Sequence, residues 1–408
     1  MPEHKRILVL TADVGFGHRS AAKAIAVALE DAYPDQCTVE IVNPLDDKRT
    51  PPFLRSSQTE YDKFVREMPN FWKLNYNISS SRVPAAVLER ALTALLFNVI
   101  RSIVKSYSPA AIVCTHPFYL APLNVYLTLR NLPIPYLTVV TDLTHIHRLW
   151  FNRGADYLLL PTQEAYQQSL TRRFSAERLV VTGVPVNPAF GKETRPTDEI
   201  RAELGWSPDV KTVLVVGSKR VKNLLSVLNV LNHSGQPVQL VIVAGGDDEL
   251  FAQLQATVWH ATTHLYNFVS TMPMLMKASD LLIGKAGGLI VTEALACGKP
   301  LIMVDVTPGQ EMGNAAYVLN YGAGELAENP VQALEILCHW LEHNAQVLDE
   351  RAAIATSLGG SRSAYAVAEY TWQAAGQGRS VPKSRLRAWA PRFMELLRTF
   401  EISVTDEN

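Results

Sequence analysis

Asp280-Leu-Leu-Ile-Gly-Lys-Ala-Gly-Gly-Leu-Ile-Val-Thr-Glu-Ala-Leu-Ala-Cys-Gly-Lys-Pro300 is the stretch that decides the fold class. A short apolar run ends at Gly284, and the adjacent pair Gly287 and Gly288 follows. Next comes an apolar helical pattern carrying Glu293, and then Gly298-Lys299-Pro300 opens another apolar run. Strand, glycine turn, helix, strand is a βαβ unit, the repeat of a parallel sheet. Paired glycines at a helix start leave backbone N–H groups open to an anion, a seat suited to a diphosphate. Glu293 lies about one and a half turns into the helix, where a carboxylate can take ribose hydroxyls. Plain helix–sheet packing with a surface glutamate accounts for the same residues, but the order of the elements favours the ligand seat.

The same alternation runs outward in both directions. Ile7–Thr11, Thr38–Val42, Ala111–Thr115, Tyr136–Thr141 and Tyr157–Pro161 read as one series of strands. Thr212–Gly217, Gln239–Gly245, His264–Val269, Asp280–Gly284 and Pro300–Val304 read as a second. A chain of 408 residues is too long for one ordinary core, so two doubly wound α/β domains facing each other across a cleft are expected. Residues 1–190 form the first, 191–210 a polar linker and 211–370 the second. Residues 371–408 read as C-terminal helices returning to the first domain.

A second glycine loop, Thr11-Ala-Asp-Val-Gly-Phe-Gly-His-Arg-Ser-Ala-Ala22, follows the first strand. Gly15 and Gly17 let the backbone lie close to a ligand, though a tight turn with a helix cap needs the same residues. It is not the dinucleotide fingerprint, because Ser20 occupies the third glycine position. His18 adds chemistry: at a helix N-terminus the dipole lowers its pKa and keeps it neutral, as a general base must be.

Composition narrows the partners. A net charge of −1 provides no field for nucleic acid. The four cysteines, Cys37, Cys114, Cys297 and Cys338, have no zinc or redox spacing and read as free thiols in a reducing compartment. The longest apolar stretch, Ala91–Ile100, is far short of a membrane span, and Ile7–Leu10 reads as a strand rather than a signal peptide. Asp142, His145 and His147 invite a metal reading, but an i, i+2 histidine pair with no third ligand argues against one. Asp142 is expected to orient His18 or a neighbouring group. His145 or Trp150 is expected to face an acceptor, with ordinary packing the competing role for Trp150.

These motifs, taken together and in order, resemble the glycosyltransferase family 28 group of the GT-B fold. The branch is that of monogalactosyldiacylglycerol synthases and processive diacylglycerol glucosyltransferases. The resemblance runs from about Arg6 to Gly324. It rests on Thr11–Ala22, on V-V-T-D-L-x-x-x-H-x-x-W-F ending at Phe151, and on G-V-P-V at Gly183–Val186. Further matches are N-F-V-x-x-M-P-x-L-M at Asn267–Met276, the 280–300 stretch itself, and P-G-Q-E-x-x-N-A at Pro308–Ala315.

The resemblance implies an inverting hexosyltransferase that uses UDP-galactose or UDP-glucose and needs no metal or other cofactor. Phe268 and Val269 would line the uracil pocket, Gly287 and Gly288 would hold the diphosphate, and Glu293 the ribose. Gln310 and Glu311 would read the sugar, with Gly17 and Ser218 completing the donor contacts and His18 acting as base. One departure stands out: Gly217-Ser-Lys-Arg-Val-Lys222 has Arg220 where a small residue is usual. Lys219, Arg220 or Lys222 could reach the diphosphate, or form a solvated basic turn. The implied acceptor is diacylglycerol. A polyprenyl-linked acceptor fits less well, because Ala21-Ala22 follows the G-x-G-H loop. A UDP-sugar-binding GT-B protein or an epimerase of the same fold is the remaining alternative.

Between Lys48 and Lys105, ten basic residues face four acidic ones, a net +6, interleaved with Phe53, Tyr61, Phe64, Phe71, Trp72 and Tyr76. That pattern suits docking on an anionic membrane surface, although an amphipathic helix pair would look the same. A peripheral enzyme on the cytoplasmic face of a membrane is the expectation. Leu386, Trp389, Phe393 and Phe400, with arginines between them, form a second amphipathic stretch near the C-terminus.

Overall fold

The computed structural model describes residues 4–13, 17–56, 82–144, 146–218, 221, 223–307 and 311–380. They divide into two compact units, one running to Asn187 and resuming at Arg362, the other spanning Pro188–Ser361.

The first unit is a six-stranded, wholly parallel sheet of β1 (Lys5–Leu10), β2 (Cys37–Val42), β3 (Ala111–Cys114), β4 (Tyr136–Val139), β5 (Tyr157–Leu160) and β6 (Leu179–Val181). The strand order is β2-β1-β3-β4-β5-β6. Its central strands are continuous apolar runs because helices cover both faces: Ile7–Leu10, Ala111–Cys114 and Leu137 are fully buried. The helices that follow these strands before the chain leaves the unit are α1 (Gly17–Ala32), α2 (Arg82–Tyr107), α3 (Leu120–Leu129) and α4 (Gln163–Thr171) among the described residues.

The second unit repeats the plan. It contains α5 (Ala189–Lys192), α6 (Thr197–Leu204), β7 (Lys211–Val216), α7 (Leu224–Asn232), β8 (Val238–Val243), α8 (Asp248–Ala256), β9 (Thr262–Tyr266) and α9 (Met272–Ala278). These lead into β10 (Leu281–Lys285), α10 (Gly288–Ala296), β11 (Leu301–Asp305), α11 (Met312–Tyr321), β12 (Gly324–Leu326) and the helical segment α12 (Pro330–Leu358). The order is β12-β11-β10-β7-β8-β9, again all parallel.

Each sheet therefore reverses its direction of growth once. The first does so between β1 and β3, and the second between β7 and β10. Crevices for ligands open at such switch points, outside the carboxyl ends of the strands.

Three features differ from the sequence reading. Both sheets gain a short edge strand, β6 and β12, of three residues each, too brief to show a period-2 pattern. The 191–210 stretch, read as linker, carries the second half of α5 and all of α6 within the second unit. Asp198 and Glu199 favour the N-terminus of α6, and Gly205 closes it in the left-handed conformation (φ +69°). The last described helix, α13 (Ser363–Gln377), starts ahead of position 371 and lies in the first unit. It packs beside α1, with Trp372 stacked on Tyr33 and Ala364, Val367 and Ala368 sharing a core with Ile25 and Leu29. Just beyond it, Asp156 accepts hydrogen bonds from Ser380 N (2.6 Å) and Ser380 Oγ (3.0 Å), tying the chain to that unit.

One glycine pair brings the loops after β7 and β8 together. Gly245 has φ +70°, and a Cβ placed on it would lie 2.3 Å from the carbonyl oxygen of Gly217. Strain and clash combine, so Gly245→Ala is expected to cost about 3 kcal/mol of stability. Urea unfolding measures this, and an unchanged midpoint would refute the packing argument.

Candidate active site

In the first unit, β1 ends at Leu10 and α1 begins at Gly17, which places His18 at the carboxyl edge of the sheet. The imidazole is buried, 8% exposed. Its Nδ1 lies 2.7 Å from the carbonyl oxygen of Thr115, just past β3, and 3.0 Å from Thr141 Oγ1. A carbonyl can only accept, so Nδ1 carries the proton and Nε2 holds the lone pair. Burial pushes the pKa of His18 down to about 4, opposed by the Thr115 carbonyl. The ring is neutral as expected, but desolvation rather than the helix end is the main cause.

Asp142 does not orient His18. Its Oδ2 accepts from Trp150 Nε1 at 2.8 Å, and burial raises its pKa to about 6 against the Trp150 and His147 N–H bonds. The Trp150 ring centroid stands 6.0 Å from that of His18. Trp150 itself is only 1% exposed, so packing rather than open solvent surrounds it. Asp142, Trp150 and His18 are thus brought into one cluster, with the indole between the carboxylate and the imidazole. His147 is a buried cap that accepts from Leu149 N.

His116 escaped sequence reasoning. It is buried, it meets His18 edge-on at 4.7 Å, and its Nδ1 has no hydrogen-bond partner. Its only sequence signal is that it follows a strand. His145 and Trp72 lie outside the described residues. Among those described, no group of three or more His, Cys, Asp or Glu residues is arranged to hold a metal ion.

In the second unit, the predicted donor residues gather at the carboxyl ends of β7 to β11. Phe268 is 75% exposed, and its ring stands 3.8 Å from where a Cβ on Gly246 would be. An exposed aromatic face above bare backbone is a platform for a flat ring. Val269 follows it, half-buried. Gly287 caps α10 with an extended backbone and Gly288 is its first residue, so neither is required by a left-handed φ. Cβ atoms added there would meet only Ile290 Cγ2, Glu311 Oε1 and Asn314 Nδ2, at 3.5 to 3.9 Å. These glycines keep the helix start open to a ligand rather than making the turn.

Glu293, on α10, takes no hydrogen bond or ion pair from the described residues, and burial raises its pKa to about 8. Glu311 Oε2 accepts from Thr307 N at 2.6 Å and lies 3.4 Å from Lys285 Nζ, a cation sequence reasoning passed over. Ser218 sits in the loop after β7, its carbonyl accepting from Val221 N. Gln310, Lys219, Arg220 and Lys222 lie outside the described residues.

Two parallel, doubly wound units, each gathering its candidate residues at the carboxyl ends of its strands, define the GT-B fold. Solved structures agree on the fold. The chain superposes on MurG of Acinetobacter baumannii with a TM-score of 0.60 and 16% identity, covering 90% of this chain and 99% of that one. With UDP-GlcNAc 2-epimerase from Neisseria meningitidis the TM-score is 0.58 at 15% identity, covering 90% and 100%. The family model for monogalactosyldiacylglycerol (MGDG) synthase matches residues 18–186, and that for the glycosyltransferase family 28 C-terminal domain matches residues 212–355. Monogalactosyldiacylglycerol synthase, chloroplastic, of Spinacia oleracea is 30% identical over 84% of this chain and 67% of its own length. The chain belongs to the monogalactosyldiacylglycerol synthase family of glycosyltransferases, and it is a hexosyltransferase.

Proposed function

We propose that this enzyme transfers galactose or glucose from its UDP conjugate to the hydroxyl of diacylglycerol, with inversion and without a metal ion. The observation that carries the reading is the His18 imidazole. It is neutral, anchored through Nδ1–H to Thr115, and its Nε2 has no hydrogen-bond partner among the described residues. Nε2 takes the proton of the acceptor hydroxyl as the new oxygen–anomeric carbon bond forms and the bond to the diphosphate breaks. The Thr115 carbonyl steadies the imidazolium through the Nδ1–H bond. Charge developing on UDP falls on the N–H groups at the start of α10, beside Gly287 and Gly288. Phe268 and Val269 receive the uracil, Glu293 the ribose, and Gln310 with Glu311 the hexose. UDP as the donor nucleotide has further support in the solved neighbours, since the Neisseria epimerase is described as bound to UDP-GlcNAc.

The membrane lipid acceptor is supported by the family and by the first unit's surface. Phe53 stands 61% exposed near Lys48 and Arg55, while Tyr61, Phe64, Phe71, Trp72 and Tyr76, with the charges between them, lie outside the described residues. No helix among the described residues is long and apolar enough to cross a membrane. On the strength of the family and of the basic and aromatic pattern between Lys48 and Lys105, we read it as a peripheral enzyme on the cytoplasmic face of a membrane.

Product analysis tests the whole reading. The enzyme is incubated with UDP-galactose or UDP-glucose and diacylglycerol in vesicles, with and without anionic lipid. A glycosyl-diacylglycerol is expected, with co-sedimentation strengthened by anionic lipid and weakened by salt. Epimerised UDP-sugar without a glycolipid would point to an epimerase. Transfer solely to a polyprenyl-linked acceptor would overturn the diacylglycerol assignment.

A further inference from the structure

Lys285 is the last residue of β10, and the ladder shifts register just before it. Gly284 pairs with Met303, but Lys285 pairs with Asp305, leaving one extra residue in β11. Such a bulge bends the strand that carries it, here β11, which leads on to Thr307 and Glu311. The Lys285 ammonium comes to 3.4 Å from Glu311 Oε2, with side-chain exposures of only 14% and 18%. Thr307 N donates to the same oxygen at 2.6 Å. Oε2 is therefore committed to the protein. Oε1 has no hydrogen-bond partner among the described residues, and it lies 3.9 Å from where a Cβ on Gly287 would stand. A glutamate side chain is a poor reader of a hydroxyl while it turns freely, because ordering it on binding costs entropy. Anchored at one oxygen, it offers the other as a fixed acceptor beside the open helix start.

We propose that Lys285 is a positioning residue for the donor sugar. Together with Thr307 N–H, it anchors Oε2 of Glu311 so that Oε1 meets a hydroxyl of the nucleotide-linked hexose next to Gly287. The proposal rests on the donor-site reading above. It competes with one in which the ammonium touches the diphosphate itself. UDP separates the two, since it carries the diphosphate but no hexose.

In the full-length enzyme, Lys285→Met is expected to raise KM for the UDP-hexose about tenfold, while the calorimetric Kd for UDP moves by less than about twofold. Lys285→Arg, which keeps a donor at the same place, should recover KM to within about threefold of the parent. In a Glu311→Gln background, Lys285→Met should add less than about twofold, because the two residues act as a unit. Equal loss of UDP and UDP-hexose affinity would overturn the proposal in favour of direct diphosphate contact. Additive losses in the double variant would also overturn it. Should Lys285→Met fail to fold, the same cycle run with Lys285→Gln and Glu311→Gln reads the coupling. Failure of the parent enzyme to bind UDP would instead remove the donor-site reading on which the proposal stands.

Discussion

His18→Ala is expected to lower kcat by about 10²–10⁴-fold, the range a positioned general base supplies, while UDP binds within about twofold of the parent. The split follows from where the residue sits. His18 belongs to the first unit, at the β1–β3 switch point, whereas the UDP seat proposed here lies on β7 to β11 of the second. Calorimetry with UDP and turnover at saturating donor measure the two quantities separately. A variant keeping more than about a tenth of parental kcat would remove His18 as the base.

The pH profile adds an independent check. Burial holds the pKa of His18 at about 4, so its base form is populated above that value. The acid limb of kcat due to this group should therefore fall near pH 4 rather than near 6.5. The same shift makes a statement about stability. As pH drops below 6.5 the unfolded chain binds a proton that buried His18 refuses. This contribution is thus full above 6.5 and is lost progressively toward pH 4.

Above about pH 8, where Glu293 is ionised, Glu293→Ala should weaken UDP binding by roughly 1.5–3 kcal/mol, about 10–100-fold, the range for a hydrogen bond to a charged group. The carboxyl has no partner among the described residues and burial raises its pKa to about 8, so the folded protein leaves its bonding capacity unused. If the ribose hydroxyls prefer the ionised form, UDP affinity rises as pH approaches about 8 and levels off above it. Glu293→Gln should flatten that rise. The stability sign is opposite to that of His18. Above the unfolded carboxyl's pKa, the folded chain must keep a proton that the unfolded chain releases. The penalty therefore grows from about pH 4.5 to about pH 8 and is constant beyond. Glu293→Gln should melt higher than the parent at pH 8, with the gap closing toward pH 4.5. Unchanged UDP affinity in Glu293→Ala would sink the ribose assignment.

Much of this molecule was legible in one dimension. Parallel strands buried on both faces must be apolar throughout, and the glycine turns between strand and helix are local. Ten of the twelve strands described here therefore stood out as short apolar runs. The proposed donor residues stand together in the sequence for the same reason: Gly287, Gly288 and Glu293 belong to one βαβ unit, and Phe268 and Val269 follow a single strand.

Only the tertiary structure decided who holds whom. The partner of His18 is the carbonyl of Thr115, 97 residues away and brought beside it by the β1–β3 pairing. A backbone oxygen leaves no trace in residue type, which is why Asp142, chemically the obvious orienting group, was favoured in its place; the fold gives that carboxylate to Trp150. Lys285 reaches Glu311 through a one-residue register shift between β10 and β11. Register depends on how two strands pack together, and neither strand's own sequence contains it. Sequence by itself thus determined the two βαβ series and the order of the residues proposed for the donor, since both rest on local periodicity and turn chemistry. Strand pairing decided what anchors the His18 imidazole, through β1 and β3, and the Glu311 carboxylate, through β10 and β11, because those contacts exist only between different segments of the chain.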